Sequence, residues 1–179
     1  MYIALDIETT GLDPETCQVL EIAMVADVRT RRVRDCPVFR ETIKLAGVIR
    51  GESFGLMLNS RLLGNISRGR CVSPDHAMGK MQTWLAAYSA DKPYTLLGKN
   101  VGGFDWQFVK RFKGWPTHLF SHRFLDVGSL YATSTGMFSQ SQLLGRIARD
   151  YNIPGSAHEA LHDARVSLAL ARSRWGIEA

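Results

Sequence analysis

The stretch Tyr2-Ile3-Ala4-Leu5-Asp6-Ile7-Glu8-Thr9-Thr10-Gly11-Leu12 decides how this chain is read. Residues 2–8 are mostly apolar and end in alternating acids, the pattern of a strand. Period-2 geometry puts Asp6 and Glu8 on one face and Leu5 and Ile7 on the other. The strand is apolar enough to be central, and two carboxylates at its end are costly to bury without a partner. Taken alone, Asp-x-Glu is a common pair, and a solvated strand end explains it.

Outward from this strand, residues 18–28 and 36–45 read as two more. Turns at Gly11-Leu12-Asp13-Pro14 and around Thr30–Asp35 suit antiparallel neighbours. Residues 46–72 mix Gly, Arg and short apolar runs, and no element is assigned there. Ser73 as N-cap and Pro74 at the first helical position start a helix that runs to about Tyr88. Tyr94–Gly98 reads as a buried strand, and a helix follows from near Gly103 to Phe112. Gln140–Tyr151 and Glu159–Trp175 are further helical patterns, the second stopped by Gly176. Three strands, a helix, a strand and then helices make an α/β layered domain.

Composition agrees with one domain over residues 1–179. Hydrophobic residues make up 45% and charged residues 22% of 179, which is globular and excludes a mostly disordered chain. The formal charge of +5 suits a polyanionic partner without proving one. No apolar run approaches the roughly 20 residues of a membrane span, and the N-terminus lacks a basic leader. Cys17, Cys36 and Cys71 show no C-x-x-C spacing, so a reduced, cytoplasmic protein without a cysteine-based zinc site is expected.

Two further acids and a histidine extend the theme. Asp105 follows a Gly-Gly-Phe turn and opens a helix beside a Phe104, Phe108, Phe112 stripe. An acid there also complements the helix dipole. Asp163 shares a helix face with Val166 and Leu170, so it needs a partner, either a metal or an arginine in a buried ion pair. His158 precedes it by five residues. Four carboxylates carry four negative charges and two divalent cations carry four positive ones. Hard oxygen donors suit Mg²⁺ or Mn²⁺ rather than zinc. Two such ions about 3.5–4 Å apart can activate a water and stabilise the leaving oxygen of a phosphodiester. A histidine titrates near neutrality and can take the proton of that water.

In combination these segments resemble a known family. Asp6-Ile7-Glu8-Thr9-Thr10-Gly11 is similar to the first motif of the DEDDh 3′→5′ exonucleases, a family that includes proofreading subunits and oligoribonucleases. Asn100-Val101-Gly102-Gly103-Phe104-Asp105 resembles the second, N-x-x-x-F-D. His158-Glu159-Ala160-Leu161-His162-Asp163 resembles the third, H-x-x-x-x-D, and Glu159 stands where a tyrosine-type relative has its tyrosine. Leu58-Asn59 and Val72-Ser73-Pro74 are a weaker echo of the segment before the family's first long helix.

The resemblance implies an RNase H-like fold, with a mixed central sheet (three antiparallel strands, then parallel strands) flanked by helices. It also implies hydrolysis of single-stranded DNA or RNA from the 3′ end to 5′-mononucleotides. Asp6, Glu8, Asp105 and Asp163 would hold two divalent cations and His158 would be the general base. Thr9, Thr10, Gly11 and Leu12 would grip the terminal nucleotide, Phe104 would contact a base, Asn59 and Asn100 would also belong to the substrate-binding set, and Asn100 and Asp126 would support the site. The family leaves open a homodimer or a subunit bound to a polymerase or another nucleic-acid enzyme.

Other readings compete. His158-Glu159-Ala160-Leu161-His162 has the H-E-x-x-H spacing of a zinc hydrolase, with only Glu178 as an acid ligand downstream of Asp163. That reading leaves Asp6, Glu8 and Asp105 unexplained. A non-catalytic nucleic-acid-binding module of the same fold has no need of four acids, which repel a polyanion. Lys99, Lys110, Arg111, Lys113, Arg61, Arg68 and Arg70 are candidates to track phosphates, and Trp106 or Trp115 to stack on bases.

Overall fold

The computed structural model describes residues 1–130 and 140–177. Five strands form one sheet: β1 (Tyr2–Thr9), β2 (Val19–Ala26), β3 (Val38–Thr42), β4 (Tyr94–Gly98) and β5 (Phe120–Asp126). Their spatial order is β3-β2-β1-β4-β5. β1–β2 and β2–β3 are antiparallel, whereas β1–β4 and β4–β5 are parallel. The helices are α1 (Ser53–Leu58), α2 (Ser60–Ser67), α3 (Pro74–Ala86), α4 (Asp105–Val109), α5 (Gln140–Asp150) and α6 (Ala160–Arg174). This mixed sheet between helices is the RNase H-like fold.

Alternation along β1 distributes its side chains to two cores. Ile3, Leu5 and Ile7 join Met24, Leu96, Phe108 and the Ala77, Met78, Met81, Leu85 face of α3. Ala4 joins Val25, Leu97 and the apolar face of α6 on the other side. Asp6 and Glu8 fall on that second side, beneath the start of α6. Full burial of each Leu, Ile or Met here contributes about 1.5–3 kcal/mol. Ser73 caps α3 as its spacing predicts, its Oγ accepting from the His76 N–H at 3.3 Å. Gly176, at φ 66°, ends α6.

α6 is also pinned by a buried ion pair. Arg172 is fully buried, and its Nε and Nη2 donate to Asp27 Oδ1 at 2.9 and 2.7 Å. Its Nη1 donates to the Arg31 carbonyl and its Nη2 to that of Val28.

Several expected elements differ. The strands at 18–28 and 36–45 are trimmed to β2 and β3. The helix expected from Gly103 to Phe112 is the short α4, because the chain turns at residues 110–114, where Gly114 adopts φ 85°. β5 was not foreseen: its sequence, Phe-Ser-His-Arg-Phe-Leu-Asp, lacks clean alternation, and as the edge strand it keeps His122 and Arg123 exposed. The unassigned segment 46–72 holds α1 and α2. α1 lies directly on the loop after β1. A Cβ at Gly55 would sit 2.5 Å from the Thr10 carbonyl oxygen, and one at Gly51 2.5 Å from Thr10 Cβ.

Candidate active site

The C-terminal end of β1 carries Asp6 and Glu8. The third wall of the site comes from the far end of the chain, because α6 starts over this point of the sheet and carries Asp163 in its first turn. Carboxylate oxygens of Asp6, Glu8 and Asp163 lie within 4.8 Å of one another. Asp105, in the first turn of α4, is buried against the same strand and accepts from the Ile7 N–H at 3.1 Å. All four acids belong to the site. Asp6, Asp105, Asp163, Lys99, Phe104 and His158 line one cleft of about 470 Å³.

The electrostatics are those of an uncompensated cluster. Burial pushes the Asp6 carboxyl well above its ordinary range, and the charges of Asp105, Asp163 and Glu8 push it further against Lys99. Burial raises Glu8 to about 7; a hydrogen bond from Asn59 opposes this, while Asp163 and Glu21 add to it. Burial also raises Asp105 against the Ile7 hydrogen bond, and raises Asp163 against the His158 N–H. Among the described residues none of the four acids has a lysine or arginine ion pair. Arg172, on the same helix as Asp163, pairs with Asp27.

His158 precedes α6 in a left-handed backbone conformation, φ 64°. Its N–H donates to Asp163 Oδ2 at 3.0 Å, and the residue is exposed at the cleft. His162 lies inside α6, buried, with Nδ1 against the Pro154 carbonyl at 3.0 Å. The two histidines therefore do not share one helix face as an H-E-x-x-H zinc site requires, and Glu159 sits at the N-cap, paired with Arg61. Glu178 lies outside the described residues. The zinc reading fails on this geometry.

The expected nucleotide-gripping residues divide. Leu12 is 71% exposed in the loop that follows β1. Thr9 is buried, its Oγ1 donating to the Gly11 carbonyl. Thr10 is fully buried, and its hydroxyl bonds the Arg50 carbonyl and the Gln18 N–H, so that side chain holds the loop rather than a ligand. A Cβ at Gly11 would meet Cys17 Sγ at 2.6 Å, so the loop needs glycine for close packing. Asn59 donates to the Thr9 carbonyl at 3.0 Å and to Glu8, tying α1 to the acids.

Asn100 forms the turn before α4, at φ 54°. Its N–H is accepted by Asp126, which also accepts from the Gly128 N–H. Both residues stabilise turns and lie outside the acidic cleft. Phe104 packs on Phe108 with ring centroids 5.1 Å apart and lines the cleft. Trp115 is buried and stacked on Phe120, which removes it from base stacking, and the half-buried Trp106 packs on Trp115 and Phe124. Arg111 is engaged by Glu15 and the Pro14 carbonyl.

Sequence reading did not single out the apolar rim. Phe54 (68% exposed), Met57 (67%) and Leu58 project from α1. Two short helices after a glycine pair give no periodic signal. Gly51 and Gly55 at i, i+4 are the trace that marks a close helix-on-backbone contact.

No family model matches the chain, and no curated protein matches it by sequence. Solved structures do. The crystal structure of cell-death related nuclease 4 (CRN-4) superposes with a TM-score of 0.65 at 15% identity, covering 99% of this chain and 64% of that one. E. coli Exonuclease I in complex with a dT13 oligonucleotide gives 0.65 at 16% identity, covering 98% and 42%. The nuclease domain of 3′hExo, a DEDDh family member bound to rAMP, gives 0.64 at 16%, covering 99% and 93%. This chain thus spans less than two thirds of the CRN-4 and Exonuclease I chains. At these identities the likeness is one of fold: the chain has the architecture of these three nucleases, with a cleft of four acids at the end of its central strand.

Proposed function

We propose that the chain is a DEDDh-type, metal-dependent 3′→5′ exonuclease that shortens single-stranded DNA or RNA to 5′-mononucleotides. One observation carries this reading. Asp6, Glu8 and Asp163 come from two distant segments, yet their carboxylate oxygens lie within 4.8 Å, with Asp105 raised by burial alongside them. Like charges so placed repel strongly in a half-buried site. The donor set is all oxygen, with no thiolate, and among the described residues no ion pair relieves it. It therefore fits hard divalent cations such as Mg²⁺ or Mn²⁺.

Asp6, Glu8, Asp105 and Asp163 would hold those ions. When bound, two such ions activate a water and stabilise the leaving 3′ oxygen of a phosphodiester. The His158 imidazole takes the proton of the attacking water, and the His158 N–H and the Ile7 N–H orient Asp163 and Asp105. Asn59 orients Glu8. Leu12, Phe54 and Met57 offer apolar surface to unpaired bases, and Phe104 offers a ring within the cleft. Base–aromatic contacts tolerate any base and need a single strand. The similar structures hold a deoxyoligonucleotide and a ribonucleotide, so the reading covers both sugars.

The test is a gel with 5′-labelled single-stranded DNA and RNA of equal sequence, run with wild type and Asp6→Ala in Mg²⁺, Mn²⁺ or EDTA. A ladder that shortens from the 3′ end and is lost with EDTA or Asp6→Ala is expected. Retained metal-dependent hydrolysis in a folded Asp6→Ala protein overturns the site. Strand binding without cleavage under any metal favours the non-catalytic module.

A further inference from the structure

Two walls flank the acidic floor. One is α1–α2, tied to β1 through Asn59. The other is the loop from Ile153 to Glu159, which carries His158. Among the described residues one ion pair spans them: Arg61 Nη2 lies 3.4 Å from Glu159 Oε1. The Arg61 side chain is 61% exposed and that of Glu159 26%. Ser156 Oγ donates to the same Glu159 oxygen at 3.0 Å. The Arg61 charge also reaches Glu8, opposing the rise in its proton affinity. The guanidinium is thus open to solvent, close to the catalytic floor, and held by a carboxylate outside the four-acid cluster.

Resting on the nuclease reading above, we propose that Arg61 binds a backbone phosphate of the incoming strand, and that this phosphate displaces Glu159 as its partner. A guanidinium matches a phosphate with two parallel hydrogen bonds, whereas the pair with Glu159 is a long contact of 3.4 Å. Exposed ion pairs contribute only about 0–1 kcal/mol, so the exchange costs little. The strand meets an acidic floor, and a cation released at its edge offsets that repulsion. Among the described residues the exchange leaves the Glu159 carboxylate held by the Ser156 hydroxyl, and Glu159 adjoins His158. Phosphate capture at one wall therefore loosens the segment that presents His158 from the other.

Binding of a 5′-fluorescein oligothymidylate is measured over a salt series in Mg²⁺, with Asp6→Asn as the background so that the strand is not consumed. Arg61→Gln is expected to weaken binding several-fold and to reduce the slope of log K against log[salt] by about 0.7, one phosphate contact on a single strand. Glu159→Gln should tighten binding without reducing the slope, and the double variant should follow Arg61→Gln. A merely structural strut makes the two single variants weaken binding alike at unchanged slope. That outcome, or an unchanged slope in Arg61→Gln, overturns the proposal. Cleavage by wild type together with an Arg61→Gln variant that binds like its background overturns the exchange and leaves the nuclease reading standing. A wild type that neither binds nor cleaves overturns both.

Discussion

The Ile7 N–H donates to Asp105 Oδ1 at 3.1 Å across 98 residues of sequence. The bond fastens the first turn of α4 to the strand between Asp6 and Glu8. One Asp105 oxygen is thereby occupied by the fold and the other remains for the cleft. Asp105→Asn keeps an acceptor for Ile7, while Asp105→Ala leaves a buried N–H unpaired. Both should lose hydrolysis. Only the alanine variant should also lose about 1–3 kcal/mol of stability, read by urea unfolding in EDTA. Equal stability of the two variants would show that the bond is not made.

Stability should depend on pH in an unusual direction. A carboxyl with a raised folded pKa binds its proton more tightly in the folded state than in the unfolded one. Its contribution is complete below the ordinary carboxylate range, about pH 4, and is lost as pH rises through the folded value, about 7 for Glu8. Asp6, Asp105 and Asp163 shift in the same direction. Metal-free protein should therefore lose stability between about pH 4 and 8. Mn²⁺ should raise the Tm more at pH 8 than at pH 5, and its binding should release protons, measurable by calorimetry in buffers of different ionisation heat. An equal Tm gain at both values would contradict the cluster.

Asp6→Asn should separate activity from stability. It removes one charge from a mutually repelling set without removing volume. Hydrolysis should fall about a hundredfold or more, while the Tm in EDTA at pH 8 should rise above that of wild type. A lower Tm would mean that the charge is compensated in the fold.

The Arg172–Asp27 pair predicts the opposite behaviour. Asp27→Ala leaves a fully buried guanidinium without its carboxylate and should cost about 3–5 kcal/mol by urea unfolding. The double replacement Asp27→Leu with Arg172→Met should recover much of that loss, since neither charge is then buried.

Much of the fold was legible because its signals are local. Alternation along Tyr2–Glu8, the Ser73-Pro74 start and the Gly176 stop each depend on a few adjacent residues. The acids were legible for a related reason: Asp6, Glu8, Asp105, His158 and Asp163 sit in short motifs at element ends. What was hidden depends on contacts between distant segments. Helical spacing alone gives Arg172 no reason to be buried, because its partner lies 145 positions away. Thr10 looks like a ligand-facing hydroxyl until Arg50 and Gln18 are seen to occupy it. β5 is an edge strand whose outward residues are polar, so alternation is blurred. α1 and α2 are too short to show a period.

Gly51 and Gly55 set α1 against the Thr10 backbone with no intervening side chain. The exposed Phe54 and Met57 are therefore fixed relative to Glu8 by main chain on main chain, the stiffest contact a small domain offers. On the nuclease reading proposed above, that spacing fixes where this apolar surface meets a strand relative to the acids. A methyl group at either glycine would lift the helix and move that surface, while the acids stayed where they are.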